Sequence, residues 1–496
     1  MKSILIFVIL LFSQLTTSQT YILDSTFGNN GQIQYMNNSF VPSNVVLFNN
    51  NYYYFGNNSI IKTNYTGQIQ TSFGVNSVLT FPSLPSNQNL ILNKLIYSNN
   101  AFYAYGYISY NINGISSNDI IIYKFDESGI LDLTFGIGGA SRINLGDKES
   151  VSNIIVKPDG SIFCGGIRSN SIIYFKLNPL GALDYNFDVN GYKTISAYPN
   201  LKSGYLIPNG NGDYLIVGLY TDTNLYGILI VTKVNASGVV DTTFGNNGYK
   251  TSTLDGGIGV HSISDVQFYQ NKLYIQHYHA FSQYNYSNNL KIFDLSSDQS
   301  IYDQIEGVDF DFVVKSDGVY IAERNYCVQT CTGLFTLRKR NLNGDLDTTF
   351  QNNGTYSYNF PDETGSGLAV NSILRCLQVN ESGEILLSGF SSSVNGLVRK
   401  FASIRIIQGA LGLYELNFTD LSIQPNPFNT QVSFKSKDKI SNLKVYSLNG
   451  IEIYDPEIKN IDGTITIDLS SIKNSGIYII KFYSDNKQII KKIIKY

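Results

Sequence analysis

A nine-residue phrase, LDSTFGNNG, begins at Leu23 and returns four more times along the chain. The further copies are LDLTFGIGG (131–139), LDYNFDVNG (183–191), VDTTFGNNG (240–248) and LDTTFQNNG (346–354). Repetition at intervals of several tens of residues is typical of architectures in which one structural unit stacks on copies of itself. The phrase therefore constrains the fold more than any other feature of the sequence.

A second repeated unit follows the phrase. It consists of two short apolar runs separated by a turn rich in Gly, Asn and Asp, which is the pattern of a β-hairpin. Hairpins are predicted to start at residues 46, 95, 154, 206, 266, 313 and 377, at intervals of 47 to 64 residues. Degenerate phrases at 69–77 and 289–297 complete the series. A period of this length with about four short strands is typical of a β-propeller blade.

The predicted fold class is therefore all-β, with a seven-bladed β-propeller of about seven repeats over 19–410. A six- or eight-bladed ring, or an open solenoid, is the alternative if a degenerate copy is an inserted loop. The first phrase lacks a preceding strand, and the strand LVRKFASIRI (397–406) lacks a following phrase. We therefore predict that residues 21–28 lie beside 397–406 and close the ring.

The residues within the phrase have structural roles in this interpretation. The aromatic ring is predicted to be buried between adjacent blades at Phe27, Phe73, Phe135, Phe187, Phe244 and Phe350. The carboxylate is predicted to accept backbone N–H bonds in a tight turn at Asp24, Asp132, Asp184, Asp241 and Asp347. Calcium binding by these aspartates is the alternative, but the phrase lacks the dense alternation of oxygen ligands found in a calcium loop. Gln351 and Asp188 stand where the pattern has Gly, so those two turns are expected to differ.

The beginning of the chain indicates its compartment. Lys2 is followed by nine apolar residues (4–12) and then by a polar stretch with small Thr16 and Ser18, which predicts a secretory signal peptide over 1–18. No later apolar run approaches the ~20 residues of a membrane span, so no transmembrane helix is expected after signal removal. Only 15% of the residues are charged and the formal net charge is -3, which argues against nucleic acid as a partner.

The cysteines fit a sparsely cross-linked exported chain. Cys327 and Cys331 are close enough in sequence to form a small loop disulfide, and two free thiols are the alternative. Cys164 and Cys376 lie in predicted strands and are expected to be small buried apolar side chains. A single C-x-x-x-C without a second pair is not a zinc signature.

The repeat resembles a known family. L-D-x-T-F-G-x-x-G, preceded by a strand and an N-x-x-G turn and followed by a D-G hairpin, is similar to the delta-60 β-propeller repeat of bacterial secreted proteins. The resemblance covers most of the first 400 residues. It implies a scaffold, and it carries over neither a catalytic residue set nor a cofactor.

The pattern changes near the C-terminus. Residues 421–496, after a linker at 411–420, contain short alternating strands split by N-G, N-S-G and D-N turns, which predicts a small Ig-like antiparallel β-sandwich. This stretch resembles the type A C-terminal sorting domain of the type IX secretion system of Bacteroidetes. The matching positions are Pro425, Asn426, Pro427, Gly450, Gly476 and Tyr478, whereas Gln424 stands where the family usually has Tyr.

This second resemblance implies an itinerary and a partner. It implies transport through the periplasm and outer membrane by the type IX secretion machinery, ending in secretion or at the cell surface. The alternative is a further β-sandwich with a binding role.

Few residues suggest chemistry. His277 and His279 are two apart on a predicted strand and share a face, which is the spacing of two metal ligands, but a third ligand is not visible in the sequence. Asp309 and Asp311 also share a strand face, and paired carboxylates perform glycoside hydrolysis. The alternatives are a structural histidine pair and a solvated acidic edge. The sequence lacks a G-x-S-x-G elbow, an H-E-x-x-H pair and a P-loop lysine.

These observations favour a non-enzymatic exported propeller that binds a glycan, a protein or a surface polymer, without a cofactor. A polysaccharide-active enzyme using Asp309 or Asp311 is the second hypothesis. A purely structural cell-surface module is the third.

Overall fold

The protein is described by a computed structural model that divides into two compact units, Met1–Gln408 and Gly409–Tyr496. The described residues are 19–35, 40–112, 114–210, 212–282, 285–305, 309–324, 333–351, 353–361, 371–392, 399–409, 423–435, 440–447, 452–454, 458–461, 464–484 and 487–496. The predicted signal peptide, the predicted linker, both cysteines of the predicted disulfide and Gly450 lie outside them. Over these ranges the secondary structure consists of strands and turns without a helix, which confirms the all-β prediction.

The strands of the first unit form seven antiparallel sheets among the described residues, numbered here 1 to 7 in chain order. Two short strands begin the chain, β1 (Tyr21–Leu23) and β2 (Gln32–Tyr35). Sheet 1 contains β3 (Asn44–Phe48), β4 (Asn51–Gly56), β5 (Ser59–Asn64) and β6 (Val78–Thr80), and sheet 2 contains β7 (Gln88–Ser98), β8 (Ala101–Ile112), β9 (Ile115–Phe125) and β10 (Ala140–Ile143). Sheet 3 contains β11 (Glu149–Val156), β12 (Ile162–Arg168), β13 (Ser171–Leu177) and β14 (Tyr192–Ile195), and sheet 4 contains β15 (Lys202–Pro208), β16 (Tyr214–Thr221), β17 (Tyr226–Val234) and β18 (Tyr249–Ile258).

The remaining sheets follow the same order. Sheet 5 contains β19 (Val260–Tyr269), β20 (Lys272–Ser282), β21 (Asn285–Asp294) and β22 (Gln299–Ile305), and sheet 6 contains β23 (Asp309–Lys315), β24 (Gly318–Arg324), β25 (Phe335–Arg340) and β26 (Thr355–Tyr358). Sheet 7 contains β27 (Asn371–Val379), β28 (Ile385–Ser392) and β29 (Arg399–Gln408), together with β1 and β2. Each predicted hairpin is present as the first two strands of one sheet.

The sheets follow one another in a closed, propeller-like ring. Each sheet packs against the next in chain order, chiefly through its first strand, and β27 of sheet 7 packs against β3 of sheet 1. The buried apolar clusters span neighbouring sheets, because a single small sheet cannot cover both of its faces. The core of this unit is therefore distributed around the ring.

The two ends of the first unit meet in sheet 7. Tyr21 of β1 pairs with Gln408 of β29, and Gln32 of β2 pairs with Ile404 of the same strand. This confirms the prediction that the beginning of the chain lies beside its last propeller strand. The ring is thus closed by backbone hydrogen bonds between segments that are distant in sequence.

The aspartates of the phrase cap turns, as predicted. Asp132 Oδ1 accepts the backbone N–H of Thr134 at 3.1 Å and its hydroxyl at 2.6 Å. The same bonds recur at Asp24, Asp241 and Asp347, and Asp184 accepts one backbone N–H. A lysine eight residues earlier, on the third strand of the sheet, completes the turn with ion pairs such as Lys124 to Asp132 at 2.8 Å.

The aromatic residues of the phrase are mostly buried. Phe27, Phe73, Phe135 and Phe350 are buried, whereas Phe187 and Phe244 are half-buried. The ring of Phe135 lies against the turn of sheet 3, where a Cβ on Gly181 would come within 2.8 Å of it. The glycine of that turn is therefore required by the ring that the preceding sheet places there.

Two expectations about the repeat need correction. Gln351 adopts a φ of 45°, close to the 61° of Gly136, so its turn keeps the conformation of the glycine turns. Asp188 is not among the residues with positive φ, so its turn does differ, as expected. The degenerate phrase predicted at 289–297 forms the end of β21 and a short turn, and Phe293 lies on the strand. In sheet 5, a tight turn between β21 and β22 takes the place of the phrase.

Arg405 of β29 takes the lysine's place for the first phrase. Its Nε donates to Asp24 Oδ2 at 2.7 Å and its Nη2 donates to Thr26 Oγ1 at 2.9 Å. The guanidinium lies over the rings of Phe27 and Tyr65, at 5.0 and 4.2 Å from their centroids. Burial raises the pKa of Asp24, but the hydrogen bonds from Thr26 and Arg405 outweigh this effect and hold that pKa below its ordinary value. This buried ion pair joins residues 381 positions apart and links the two ends of the first unit.

The second unit is a β-sandwich with its own core. Its strands are β30 (Gln431–Lys435), β31 (Ile440–Ser447), β32 (Glu452–Tyr454), β33 (Ile458–Ile461), β34 (Thr464–Asp468), β35 (Gly476–Ser484) and β36 (Lys487–Lys495). They form a β30-β34-β33 sheet and a β32-β31-β35-β36 sheet. Apolar side chains from both sheets share one buried cluster, in which Phe434 stacks on Phe482 at 5.0 Å.

Replacing Arg405 with Leu should destabilise the first unit by ~3–5 kcal/mol, because it leaves the buried Asp24 carboxylate without its cation. Urea unfolding of residues 19–496, followed by circular dichroism, measures this loss. Lys124→Leu is the matched control, because its ion pair with Asp132 is local and partly exposed and is worth ~0–1 kcal/mol. Equal losses in the two variants would contradict the closing role of Arg405.

Candidate functional site

The first strands of the seven sheets line a central channel. Five of them carry a β-bulge at Asn93, Ser152, Ser203, Ser264 or Arg375, where the strand register shifts by one residue. A bulge re-aims side chains and raises the local twist of a strand. The bulges therefore help bring polar residues of separate sheets to one place.

Two adjoining cavities of about 380 and 330 Å³ occupy this channel. Both are lined by Asn93 and Lys94 from β7 and by Ser264 and Asp265 from β19. Together they reach side chains of all seven first strands. The channel thus brings polar groups from all seven sheets together.

Amide side chains link neighbouring first strands around the channel. Asn153 accepts the backbone N–H of Leu206 at 2.8 Å and donates to its carbonyl at 2.6 Å. Gln267 accepts from Val314 N at 2.9 Å and donates to Phe312 O at 2.6 Å. These bonds satisfy backbone groups between sheets that have no common strand ladder. They hold the ring at its centre.

Asp311 of β23 makes the equivalent link as a carboxylate. Its Oδ2 accepts the backbone N–H of Leu377, in the next sheet, at 3.0 Å. Burial raises the pKa of Asp311 to about 6, and the hydrogen bond from Leu377 opposes this rise only in part. A carboxyl group with such a pKa is able to hold a proton in mildly acidic conditions.

Asp309 lies two residues earlier on β23 and faces the same cavity. It forms an ion pair with Arg324 and accepts a hydrogen bond from Gln276 Nε2 at 3.3 Å. The structure therefore brings the two predicted acidic candidates to one channel wall. Each has its own protein partners.

Lys94 and Asp265 form an ion pair across the channel, between sheets 2 and 5. The Lys94 ammonium lies 3.4 Å from both carboxylate oxygens of Asp265. Asp265 raises the pKa of Lys94 above its ordinary value. Both side chains retain contact with the cavity, which leaves the pair able to exchange partners with a bound polar molecule.

The histidine candidates lie elsewhere, between sheets 4 and 5. His277 and His279 share a face of β20, as predicted, and His261 of β19 joins them. The three rings stack nearly parallel, and the described residues contain no group of His, Cys, Asp or Glu arranged to hold a metal ion. Cys164 and Cys376 are buried, as expected, and are free thiols.

The predicted sorting residues are built into the second unit. Asn426 Oδ1 accepts the N–H of Ile494 at 2.8 Å and its Nδ2 donates to Lys492 O at 3.0 Å, which ties the loop at Pro425 and Pro427 to the last strand. Other residues of the motif act at the start of β35, where Gly476 is the first residue and the Tyr478 hydroxyl donates to Asn474 O at 2.7 Å.

Residues 422–496 match the family described as the secretion system C-terminal sorting domain. This match bears out the resemblance found in the sequence. It indicates a protein that is exported to the cell surface or secreted and that interacts with the type IX secretion machinery. The described ranges contain no helix that is long and apolar enough to span a bilayer.

Comparison with solved structures gives remote likenesses. An α-L-arabinofuranosidase from Clostridium thermocellum is 11% identical, with a TM-score of 0.26, over 62% of this chain and 91% of that one. PorZ, a surface component of the type IX secretion system of Porphyromonas gingivalis, is 9% identical, with a TM-score of 0.15, over 94% and 100%. Prolyl oligopeptidase B from Galerina marginata is 12% identical, with a TM-score of 0.38, over 91% and 55%. At these scores they support no conclusion about activity, and no curated protein matches the chain.

Sequence reasoning missed Lys94, Asp265 and Arg324 as channel residues. Lys94 and Asp265 are each the one Lys, Arg, Asp or Glu of their strand, whereas Arg324 follows Glu323 at the end of β24. Only closure of the ring brings Lys94 to Asp265 across 171 positions. The usable signal was the two-residue alternation on predicted first strands, which places one polar side chain on the channel face.

Replacing Asp311 with Asn should stabilise the chain by ~1–2 kcal/mol at pH 7.5, because the amide oxygen still accepts the Leu377 N–H without burying a charge. A raised carboxyl pKa means that the folded state binds the proton more tightly, so the contribution of Asp311 to stability falls as pH rises from 3.8 to about 6. The gain from the variant should therefore vanish near pH 4 in urea unfolding. Asp132→Asn is the control with the opposite sign, because Lys124 and Thr134 lower the pKa of Asp132. A loss of stability in Asp311→Asn at pH 7.5 would contradict this account.

Proposed function

We propose that this protein is an exported, seven-bladed β-propeller of the delta-60 type that binds a polar extracellular ligand, with an immunoglobulin-like C-terminal sorting domain that directs type IX secretion. The observation that carries the proposal is the polar channel, where Lys94 and Asp265 meet at 3.4 Å and both contact the cavity. A cavity that combines amides, hydroxyls and an exchangeable ion pair offers donors and acceptors for an oligosaccharide or a peptide.

The charges of the channel favour binding over catalysis. Arg324 pairs with Asp309, and the backbone N–H of Leu377 binds Asp311, so both carboxylates support the ring. Glycoside hydrolysis needs two carboxyl groups free to act on one bond. We therefore propose a binding protein rather than an enzyme.

One observation favours a second candidate function, a polysaccharide-active enzyme. The raised pKa of Asp311, about 6, suits a general acid, and Asp309 lies on the same channel wall. In that case Asp309→Asn and Asp311→Asn would abolish the release of reducing ends from polysaccharide while the fold persists. A third candidate, a purely structural surface module, would bind nothing at the channel.

Binding is tested with the mature chain on arrays of glycans and in pull-downs of surface proteins. The double variant Lys94→Gln with Asp265→Asn removes the channel ion pair without leaving one charge unpaired, and should weaken binding about tenfold or more, ~1.4 kcal/mol. The control is Lys124→Gln with Asp132→Asn, an ion pair outside the channel, which should bind like the wild type. A flat response of the wild type on both assays would refute the binding proposal.

Export is tested separately. Deleting residues 410–496 should leave the first unit in the periplasm, because the sorting domain is what the secretion machinery recognises. Cell fractionation with an antibody against the first unit measures its location. Appearance of the truncated chain outside the cell would refute the role of the sorting domain.

A further inference from the structure

All three histidines of the chain meet between sheets 4 and 5. His261 of β19 and His279 of β20 stand opposite each other in register, with ring centroids 4.4 Å apart. The His277 ring centroid lies 5.2 Å from that of His261 and 6.4 Å from that of His279, and all three side chains are fully buried. We call this group the histidine stack.

Sheet 4 presses directly on the stack. A Cβ on Gly227 would lie 2.6 Å from His261 Cγ, so only glycine fits there. His261 Nε2 lies 3.1 Å from Gly257 O, and His279 Nε2 lies 3.3 Å from Ile258 O. The stack is therefore part of the contact that holds the two sheets together.

The hydrogen bonds define the protonation state. A backbone carbonyl only accepts, so both of these Nε2 atoms carry hydrogen. In a neutral His261 ring, Nδ1 then carries a lone pair, and it accepts the Nε2–H of His277 at 3.0 Å. All of these hydrogen bonds are made by neutral imidazole rings. A proton added to His261 Nδ1 would set two N–H groups against each other unless His277 moved its hydrogen to Nδ1, a buried atom for which the described residues provide no hydrogen-bond partner.

The charged groups around the stack add to this conflict. Lys202 faces His261 from β15, and Lys291 faces His277 from β21. Both are cations, and the rings themselves would become like charges 4.4 to 5.2 Å apart. Protonation is therefore opposed by burial and by every charge described beside the rings.

We propose that the histidine stack is an acid-sensitive joint, in which proton uptake breaks the bond between His261 and His277 and separates sheet 5 from sheet 4. The ligand that such a joint takes is the proton, and its effect is to open the ring at one seam. The proposal is independent of what the channel binds.

The pH range follows from the direction of the pKa shifts. Burial lowers the pKa of His261 from 6.5 to about 4 and that of His277 to about 3. The open state therefore binds more protons than the closed state, so the joint is fully stabilising above pH 6.5 and weakens as pH falls towards 4. Glu149 and Asp311 act in the opposite direction, since burial raises the pKa of the first to about 7 and of the second to about 6. The comparison of variants, rather than the total pH dependence, isolates the joint.

Urea unfolding of the mature chain between pH 6.5 and 4.5 gives the first measurement. His277→Gln keeps a donor for His261 Nδ1 and removes one titrating group. As the pH falls by one unit, the unfolding constant of the variant should therefore increase by a factor about ten times smaller than that of the wild type. Lys202→Glu supplies an anion beside His261 and should move the acid transition to lower pH. An unchanged pH dependence in His277→Gln would refute the proposal.

Hydrogen exchange of the wild type, corrected for the intrinsic effect of pH, locates the opening without any variant. The amides of β18 and β19 should lose protection at pH 4.5 while those of β11 and β12 in sheet 3 keep theirs. Equal protection of β18 and β19 at pH 7 and pH 4.5, or a uniform loss in all sheets, would overturn the joint.

Discussion

The ion pair between Arg405 and Asp24 is the interaction on which the ring depends. Every other phrase aspartate has a lysine on the same sheet's third strand, eight residues earlier, so its turn forms locally. Among the described residues, no such strand precedes the first phrase. Its partner comes from the last strand, and the planar fork of arginine binds both the carboxylate and the neighbouring Thr26 hydroxyl. The ion pair that stabilises a local turn in the other phrases therefore joins the two ends of the first unit here.

Closure of the ring also creates the channel. The amide links of Asn153 and Gln267 and the carboxylate link of Asp311 each connect one first strand to the next, so they exist only when neighbouring sheets are in place. The same geometry brings Lys94 to Asp265 from opposite sides of the ring. Stability at the centre and the capacity to bind a polar ligand therefore have one origin, since both use the inward side chains of the first strands.

Much of this fold was predictable from sequence, because each sheet repeats the same local signals. Turn glycines, the phrase aspartates and the two-residue alternation fixed the hairpins and the pairing of the chain ends. Gln351 was misjudged because its side chain and backbone bind Tyr21 and Gln19, contacts that favour a left-handed turn and cannot be read locally. The channel ion pairs and the third histidine were missed for a related reason: long-range register, rather than sequence spacing, brings them together.

The most direct test of the account is native-state hydrogen exchange on β1 and β2 in the chain of residues 19–496. If these strands close the ring, the amides that they bond to β29, and that of Asp24, which donates to Arg405 O at 2.9 Å, should be protected as strongly as those of β28 and should be lost together with them as urea is added. Fast exchange of β1 and β2, with the other sheets still protected, would show that the ends do not hold the ring and would contradict the central claim.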